Sequence, residues 1–135
     1  MVKFGYVGLD DTYFKNCKLI GADFTATKDF LFSVHFSDSI LDYVAFMKKK
    51  SRKSKFTNCS LKGTDFSEAD LTLSSFIKCD LSGAVFMRTI LNQVDFLEAY
   101  NFTIDPEQNQ MRKARFGTDG LSGLLHKYGI VVIPN

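Results

Sequence analysis

The sequence predicts an all-β solenoid, and two observations carry this prediction. Phe and Leu alternate strictly at every fifth residue over nine consecutive positions between residues 56 and 96. A small or compact residue lies two positions before each of these nine. A five-residue period would spread apolar side chains around every face of an α-helix, and it does not fit the two-residue period of a flat strand. A coil in which each five-residue unit forms one side satisfies both observations, because alternate residues of an extended segment point the same way.

The apolar ladder also extends towards the N-terminus, with two irregularities. It continues in the same register from residue 46 back to residue 31, and Ser51 is the one member between 31 and 96 that is neither Phe nor Leu. A second run covers residues 4–24. The step of seven residues between Phe24 and Leu31 predicts two inserted residues near 25–30. We therefore expect repeated coils over about residues 2–116 of a single domain that covers 1–135.

Short motifs within the ladder resemble the A(D/N)LXX repeat of the pentapeptide-repeat family. They are Ala22-Asp23-Phe24, Gly63-Thr64-Asp65-Phe66, Ala69-Asp70-Leu71 and Cys79-Asp80-Leu81. The resemblance covers residues 4–96 and is expected to reach residue 116. It implies a right-handed quadrilateral β-helix in which four five-residue units complete one coil.

Four units per coil arrange the sequence in vertical columns. One column is pure Phe and continues beyond the obvious repeats: Phe36, Phe56, Phe76, Phe96 and Phe116. All three cysteines fall in one column of small inward positions, made of Cys17, Ser39, Cys59, Cys79 and Ala99. Stacked side chains that point the same way suit neither a disulfide nor a complete metal site, so we predict buried free thiols that act as small hydrophobic residues.

The C-terminal segment 117–135 is predicted to cap the solenoid, since an open β-helix end exposes unpaired backbone. Apolar residues spaced as on one helix face predict a short amphipathic helix: Leu121, Leu124, Leu125 and Tyr128. Thr118 or Asp119 is the expected N-cap and Gly129 the expected C-cap. Residues 130–133 are four consecutive β-branched residues, which predict a closing strand.

This tail is similar to the tails of the McbG/Qnr-like subgroup of the family. The resemblance rests on an Ile-Asp-Pro-Glu-x-Asn segment at 104–109, a Gly-x-x-x-Leu-Leu segment at 120–125 and Gly-Ile-Val-Val at 129–132. Members of the subgroup are bacterial proteins that protect DNA gyrase from topoisomerase poisons, and several dimerise through this end. The resemblance therefore implies a protein partner, with gyrase as the candidate, a role in antibiotic resistance, and a homodimer contact. The residues it assigns to that contact are Leu121, Leu124, Leu125, Tyr128, Ile130 and Val132. The alternative is that these residues only cap a monomer.

Positive charge is concentrated in one segment. The net charge is +2, and all of the surplus comes from Lys48, Lys49, Lys50, Arg52, Lys53 and Lys55. Because the ladder weakens at Ser51, we expect residues 47–54 to bulge outward or form a loop. The cluster suits an anionic partner, and a solvated positive loop is the plain alternative. It lacks interleaved aromatic residues, so direct nucleic-acid binding is the less favoured use.

Catalytic chemistry is not predicted. His35 and His126 are the only histidines, and a solenoid with a filled interior leaves no substrate cavity. The aspartates that precede ladder residues are expected to accept hydrogen bonds from the backbone at the corners: Asp65, Asp70, Asp80 and Asp95. The sequence therefore predicts a non-enzymatic binding scaffold with no cofactor and no metal. Without an apolar span or a leader pattern, the expected location is the cytoplasm.

Overall fold

The computed structural model describes residues 12–26 and 33–133. The chain forms a right-handed quadrilateral β-helix, which confirms the predicted fold class. One side carries a parallel sheet in the order β1-β2-β3-β4. Its strands are β1 (Thr12–Lys15), β2 (Val34–Ser37), β3 (Lys55–Thr57) and β4 (Ser75–Ile77). Elsewhere successive coils are joined by isolated parallel bridges such as Asp65↔Val85 and Lys50↔Asp70.

The four sides of each coil are numbered here by their inward ladder residues. Side 1 contains Phe36, Phe56, Phe76 and Phe96, side 2 contains Leu41, Leu61 and Leu81, side 3 contains Phe46, Phe66 and Phe86, and side 4 contains Ser51, Leu71 and Leu91; all of these residues are buried. The predicted columns are therefore confirmed. Phe66 stacks on Phe46 and Phe86 with ring centroids 5.4 and 5.3 Å apart, and meets Phe76 edge-on at 5.6 Å. Each such aromatic pair contributes about 0.5–1.5 kcal/mol beyond area burial.

The corners of the coil use left-handed backbone and aspartate side chains. Most residues two positions after a ladder residue have positive φ, as at Lys53 (59°) and Lys113 (58°). The predicted role of the aspartates is confirmed, since each accepts a hydrogen bond from the N–H two residues later. These bonds are Ser67 to Asp65 at 2.9 Å, Thr72 to Asp70 at 3.0 Å, Ser82 to Asp80 at 3.0 Å and Leu97 to Asp95 at 2.9 Å.

The inserted residues near 25–30 are confirmed by the strand register. Thr12 pairs with Val34, an offset of 22 residues, whereas His35 pairs with Lys55, an offset of 20. The first coil is therefore longer by two residues, and the coils above it keep the regular length. The ladder positions Phe4, Leu9 and Leu31 lie outside the described residues.

The expectation that residues 47–54 bulge outward is wrong. The backbone stays in register, with Lys48 N–H donating to Ser67 O at 3.0 Å and Lys53 N–H donating to Thr72 O at 2.9 Å. Ser51 occupies the inward ladder position and Lys49 the inward position two before it, and both are only 1% exposed. Lys49 therefore places a large side chain at a position where the repeat has a small one. Ser51 places a small side chain at the ladder position, where the repeat has Phe or Leu. Because protein interiors are close-packed, this exchange keeps the coil filled.

The three cysteines are free thiols, as predicted, but Cys17 is half-buried rather than buried. Cys59 and Cys79 are buried, and their Sγ atoms lie 3.3 Å from Thr57 O and 3.2 Å from Phe56 O. The hydrogen bond with the Cys59 thiol, together with burial, raises the pKa of the Cys79 thiol far above its ordinary value. Cys79 is therefore a neutral, unreactive packing residue at physiological pH.

The last coil departs from the repeat and is covered by short 3-10 helices over Pro106–Gln108, Thr118–Leu124 and His126–Tyr128. The predicted amphipathic helix therefore forms as two 3-10 segments, and its N-cap is Gly117 rather than Thr118 or Asp119. Gly129 is the C-cap, as predicted, with φ of 64°.

Two glycines of the 3-10 segment Thr118–Leu124 pack closely on Phe102. A Cβ at Gly123 would lie 2.4 Å from Phe102 O, and one at Gly120 would lie 2.8 Å from the ring, so only glycine allows this approach. The predicted closing strand over residues 130–133 is not formed among the described residues.

Candidate binding surfaces

A partner of this molecule must bind its outer surface. In the described coils the ladder side chains fill the interior. A cleft of about 930 Å³ lies at the C-terminal end between the last coil and the cap. Two parts of the outer surface differ from the rest: the apolar C-terminal end and the basic side 4.

The apolar end is made of exposed hydrophobic residues. Their exposed fractions are Leu121 44%, Tyr128 57%, Ile130 55%, Val131 84%, Val132 49% and Ile133 78%. Four of the six candidates from the sequence therefore lie on this surface, while Leu124 and Leu125 are half-buried and Leu124 packs against the core. Sequence reasoning missed Val131 and Ile133. The unbroken apolar run 130–133 was the available signal, but a strand assignment would have hidden every second side chain.

A polar clamp holds the cap on the last coil. Lys127 Nζ lies 3.1 Å from Asp105 Oδ1 and 2.9 Å from Glu107 Oε1, and Tyr128 Oη donates to Glu107 Oε1 at 2.9 Å. Hydrogen bonds from Lys127 and Tyr128 lower the pKa of Glu107, and the Glu107 N–H and Lys127 lower the pKa of Asp105. The same contacts raise the pKa of Lys127 and of Tyr128.

Side 4 carries basic residues at both ends of a column of coils. Parallel bridges stack Lys50, Asp70, Ile90 and Gln110 in successive coils. Lys50, Arg52 and Lys53 are exposed in one coil, and Arg112 and Lys113 are exposed three coils further on. A shallow cleft of about 520 Å³ runs between them, lined by Thr72, Asn92, Gln93 and Gln110 among others. We call these outward residues, with Lys48 at the corner with side 3 and Lys55 in strand β3 of side 1, the basic side.

Most of the positive charges on the basic side are uncompensated. Arg52 lies 3.5 Å from Asp70, whose other bonds come from Thr72. Arg88 pairs with Glu68 at 3.6 Å at the corner with side 3, and Arg115 pairs with Asp95 at 3.7 Å on side 1. Six residues of the basic side have no ion pair in the described part of the chain: Lys48, Lys50, Lys53, Lys55, Arg112 and Lys113.

The structure changes the membership of the predicted basic cluster. Five of its six residues lie on the outer surface, and Lys49 lies inside the coil. Arg112 and Lys113 were missed because they are distant in sequence. The signal was available, since Arg112 and Lys113 follow Arg52 and Lys53 by 60 residues, which is three regular coils.

These features define a class of protein: a filled β-helical solenoid whose outer sides and open end present binding surfaces. A sequence profile described as "Pentapeptide repeat region" matches residues 49–123, and the chain belongs to the pentapeptide-repeat family. Proteins of this family are typically structural or protein-interaction scaffolds. Comparison with curated protein sequences found no match.

Solved structures share the fold. The trypsin-treated R167E variant of QnrB1, described as a plasmid-mediated fluoroquinolone resistance protein, aligns with a TM-score of 0.55 and 20% identity over 97% of this chain. This chain spans only 63% of that QnrB1 chain. HetL, a pentapeptide-repeat protein involved in heterocyst differentiation regulation in Nostoc sp. strain PCC 7120, aligns with a TM-score of 0.50 and 26% identity. That alignment covers 73% of this chain and 39% of HetL. No helix in the described residues has the length and apolar character needed to cross a membrane.

Proposed function

We propose that this chain is a non-enzymatic cytoplasmic scaffold that binds a DNA topoisomerase, with gyrase as the first candidate. The observation that carries the proposal is how the tail segments meet. The segments 104–109 and 120–125, both similar to McbG/Qnr-like tails, are joined by the Ile104–Gly123 hydrogen bond. Lys127 and Tyr128, which follow the second segment, contact Glu107 of the first. The fold shared with QnrB1, a fluoroquinolone resistance protein, supports the same direction.

The charge distribution favours sides 1 to 3 and the cap as the surface that meets the topoisomerase. When the basic side and the Arg88–Glu68 and Arg115–Asp95 pairs are left out, the described residues include nine acidic and six basic side chains. Gyrase-directed members of the family that imitate DNA do so through acidic surfaces, and side 4 has the opposite charge. The topoisomerase therefore binds away from side 4 in this proposal.

We also propose that the protein is a homodimer joined through the apolar end. Its six exposed apolar side chains form one continuous stretch from Tyr128 to Ile133 together with Leu121. Apolar residues this exposed and this close in sequence are typical of a surface that another chain covers. A two-fold axis at the end of the rod would cover the stretch from both chains at once.

A gyrase supercoiling assay tests the proposed target. We expect the purified protein to restore supercoiling in the presence of a fluoroquinolone, or to inhibit supercoiling at comparable protein concentration. Charge reversal at two exposed carboxylates away from side 4, Glu98→Lys with Asp119→Lys, should weaken this effect. The matched variant on side 4, Lys53→Gln with Lys113→Gln, should retain it. No effect of the parent protein at any concentration would overturn the topoisomerase assignment.

A second candidate function is that of an interaction module for an anionic partner. The observation in its favour is the group of six basic residues without an ion pair on one side of the rod. Surface charges gathered on one side attract an oppositely charged partner over about a Debye length, roughly 10 Å at 0.1 M salt. The two candidates use different surfaces, so each can be tested without the other.

A further inference from the structure

We propose that the basic side binds the phosphate backbone of duplex nucleic acid. The inference rests on the second candidate function and gives its partner a chemical class. The sequence placed the positive charge in a segment of one coil, whereas the structure extends it along the rod to Arg112 and Lys113. That extension is what changes the kind of anion the surface fits.

The charges are spread along the rod axis rather than gathered at one point. Lys50 and Lys53 are separated from Arg112 and Lys113 by three coils, which at about 4.8 Å per coil is about 14 Å. A compact anion such as a single phosphate would touch only one of the two groups. Duplex DNA carries one charge per about 1.7 Å of its axis, so about eight phosphates lie along this distance and roughly half of them face one side. A linear polyanion is therefore the partner that reaches both groups.

The region between the two basic groups contains one carboxylate, Asp70, which pairs with Arg52 at 3.5 Å, the apolar Leu73 and Ile90, and neutral hydrogen-bonding side chains. Gln93 and Gln110 are exposed, and Asn92 Oδ1 accepts the Arg112 N–H at 2.9 Å, which leaves the Asn92 Nδ2 free to donate. Amide and hydroxyl side chains supply many of the contacts that proteins make to phosphate and sugar oxygens. The middle of the basic side therefore adds donors along the path of the backbone.

The composition of the surface favours nucleic acid over an acidic protein. Protein interfaces concentrate their affinity in buried aromatic anchors, and the outward positions of side 4 in the described coils carry no aromatic residue. Leu73 and Ile90 are the apolar residues among them. Interfaces with DNA are more polar and much more positively charged than interfaces between proteins.

The same composition favours a duplex over a single strand. Single strands are held by stacking their bases on aromatic side chains, and the basic side offers none in the described coils. A duplex needs no stacking because its phosphates are on the outside. Lys53 and Lys113 stand at corners with left-handed backbone. The first corner is bonded to the next coil by Lys53 N–H to Thr72 O at 2.9 Å, and the second is bonded to the coil before it by Gln93 N–H to Arg112 O at 2.8 Å, so the surface is formed before a partner binds.

The test is the binding of the full chain to a short fluorescein-labelled DNA duplex, followed by anisotropy from about 50 to about 200 mM salt. The test variant is Lys53→Gln with Lys113→Gln. The matched control is Lys18→Gln with Lys78→Gln, two exposed lysines of sides 2 and 1 that make no ion pair in the described residues. Removing two phosphate contacts should reduce the slope of log affinity against log salt by about 2, and weaken binding about tenfold at the lower salt. The control should stay within about twofold of the parent protein.

Three outcomes would overturn the inference: no binding to the duplex at the lowest salt, equal losses in the test and control variants, or tighter binding to a single strand than to the duplex. Polyglutamate of matched charge separates this inference from the function on which it rests. If polyglutamate binds and the duplex does not, the anionic partner is retained and the nucleic acid is rejected. If neither binds, both are rejected. The assay contains no topoisomerase, so its result is independent of the gyrase proposal.

Discussion

Lys49 and Ser51 exchange the side-chain sizes that the repeat gives to their positions. In the next two coils of side 4, Ala69 and Thr89 take the small inward position before the ladder residues Leu71 and Leu91. At 49 and 51 the order is large then small, and both residues are 1% exposed. The lysine stem supplies apolar volume that the serine does not, which suggests that the two positions are energetically coupled.

A double-mutant cycle tests this coupling. Ser51→Leu alone should overpack the coil and cost about 1–3 kcal/mol. Lys49→Ala alone should remove the packed stem and cost about 1–3 kcal/mol. Together they restore the family order of small then large, so the double variant should be more stable than the sum of the single losses predicts, by about 0.5–3 kcal/mol. Urea unfolding gives the free energy of unfolding of the parent protein and the three variants. Strictly additive losses would contradict the energetic coupling of positions 49 and 51.

Lys49 and Ser51 also show why the conformation of residues 47–54 could not be predicted from the sequence. The five-residue ladder predicted which Phe and Leu residues are buried, because a long column of apolar side chains is stable only when it faces the interior of the coil. Lys49 and Ser51 sit in the same ladder, but the surrounding lysines and arginine favoured a solvated loop. Only the bonds to the next coil, such as Lys48 N–H to Ser67 O at 3.0 Å, fix the inward direction of Lys49. Local composition cannot supply a contact between residues 19 positions apart.

At the scale of elements, the cap is a second case in which the sequence predicted a feature but not its detailed geometry. The spacing of Leu121, Leu124 and Tyr128 predicted one amphipathic helix, and the helical character is confirmed as 3-10 segments. Gly120 and Gly123 let the backbone of the cap approach Phe102 more closely than residues with a Cβ would allow. Their role depends on Phe102, which lies in another turn of the chain, so the spacing alone could not reveal it.

The clamp of Lys127, Asp105, Glu107 and Tyr128 gives the cap a defined pH dependence. The pKa values of Asp105 and Glu107 are lowered in the folded protein, so their contacts stabilise the cap at pH values above the ordinary carboxyl pKa of about 4. This stabilisation is lost as the pH falls through the folded-state pKa values. The pKa values of Lys127 and Tyr128 are raised in the folded protein, so their contacts stabilise the cap below about pH 10. This stabilisation is lost as the pH rises through the folded-state pKa values. We therefore expect a plateau of cap stability from about pH 5 to about pH 9.

Hydrogen exchange at one amide measures this plateau. The Ile104 N–H donates to Gly123 O and so reports whether the cap is docked. Its protection, corrected for the intrinsic rate, should be constant across the plateau and fall on the acid side. The Leu91 N–H, which donates to Gln110 O within the coils, is the internal reference. Lys127→Met should lower the protection of Ile104 at neutral pH and flatten its pH profile. Unchanged protection in that variant would mean that the clamp does not hold the cap.

At the scale of the whole molecule, the sequence predicted the architecture better than the surfaces. The period of 20 residues fixed the order of the columns, and with it the position of every buried Phe on sides 1 and 3 in the described coils. The binding surfaces required the coil itself. Side 4 becomes basic only when residues three coils apart are stacked, and the end becomes apolar only when the segment 130–133 is left without a paired strand. In a solenoid each repeat contacts only its neighbours, so such surfaces are properties of the stack.

The apolar end carries the last prediction, which concerns assembly. If the two-fold contact forms there, sedimentation should show a dimer that dissociates on dilution. Ile130→Glu with Val132→Glu would bring four carboxylates together across the axis without aqueous solvation, so this variant should be a monomer. The matched control is Val85→Glu with Met87→Glu, which places the same charges on side 3 at similar exposure, 41% and 37% in the parent protein. That control should remain dimeric. A parent protein that is monomeric at every concentration would instead support a simple cap, and a dimeric end variant would place the contact on another surface.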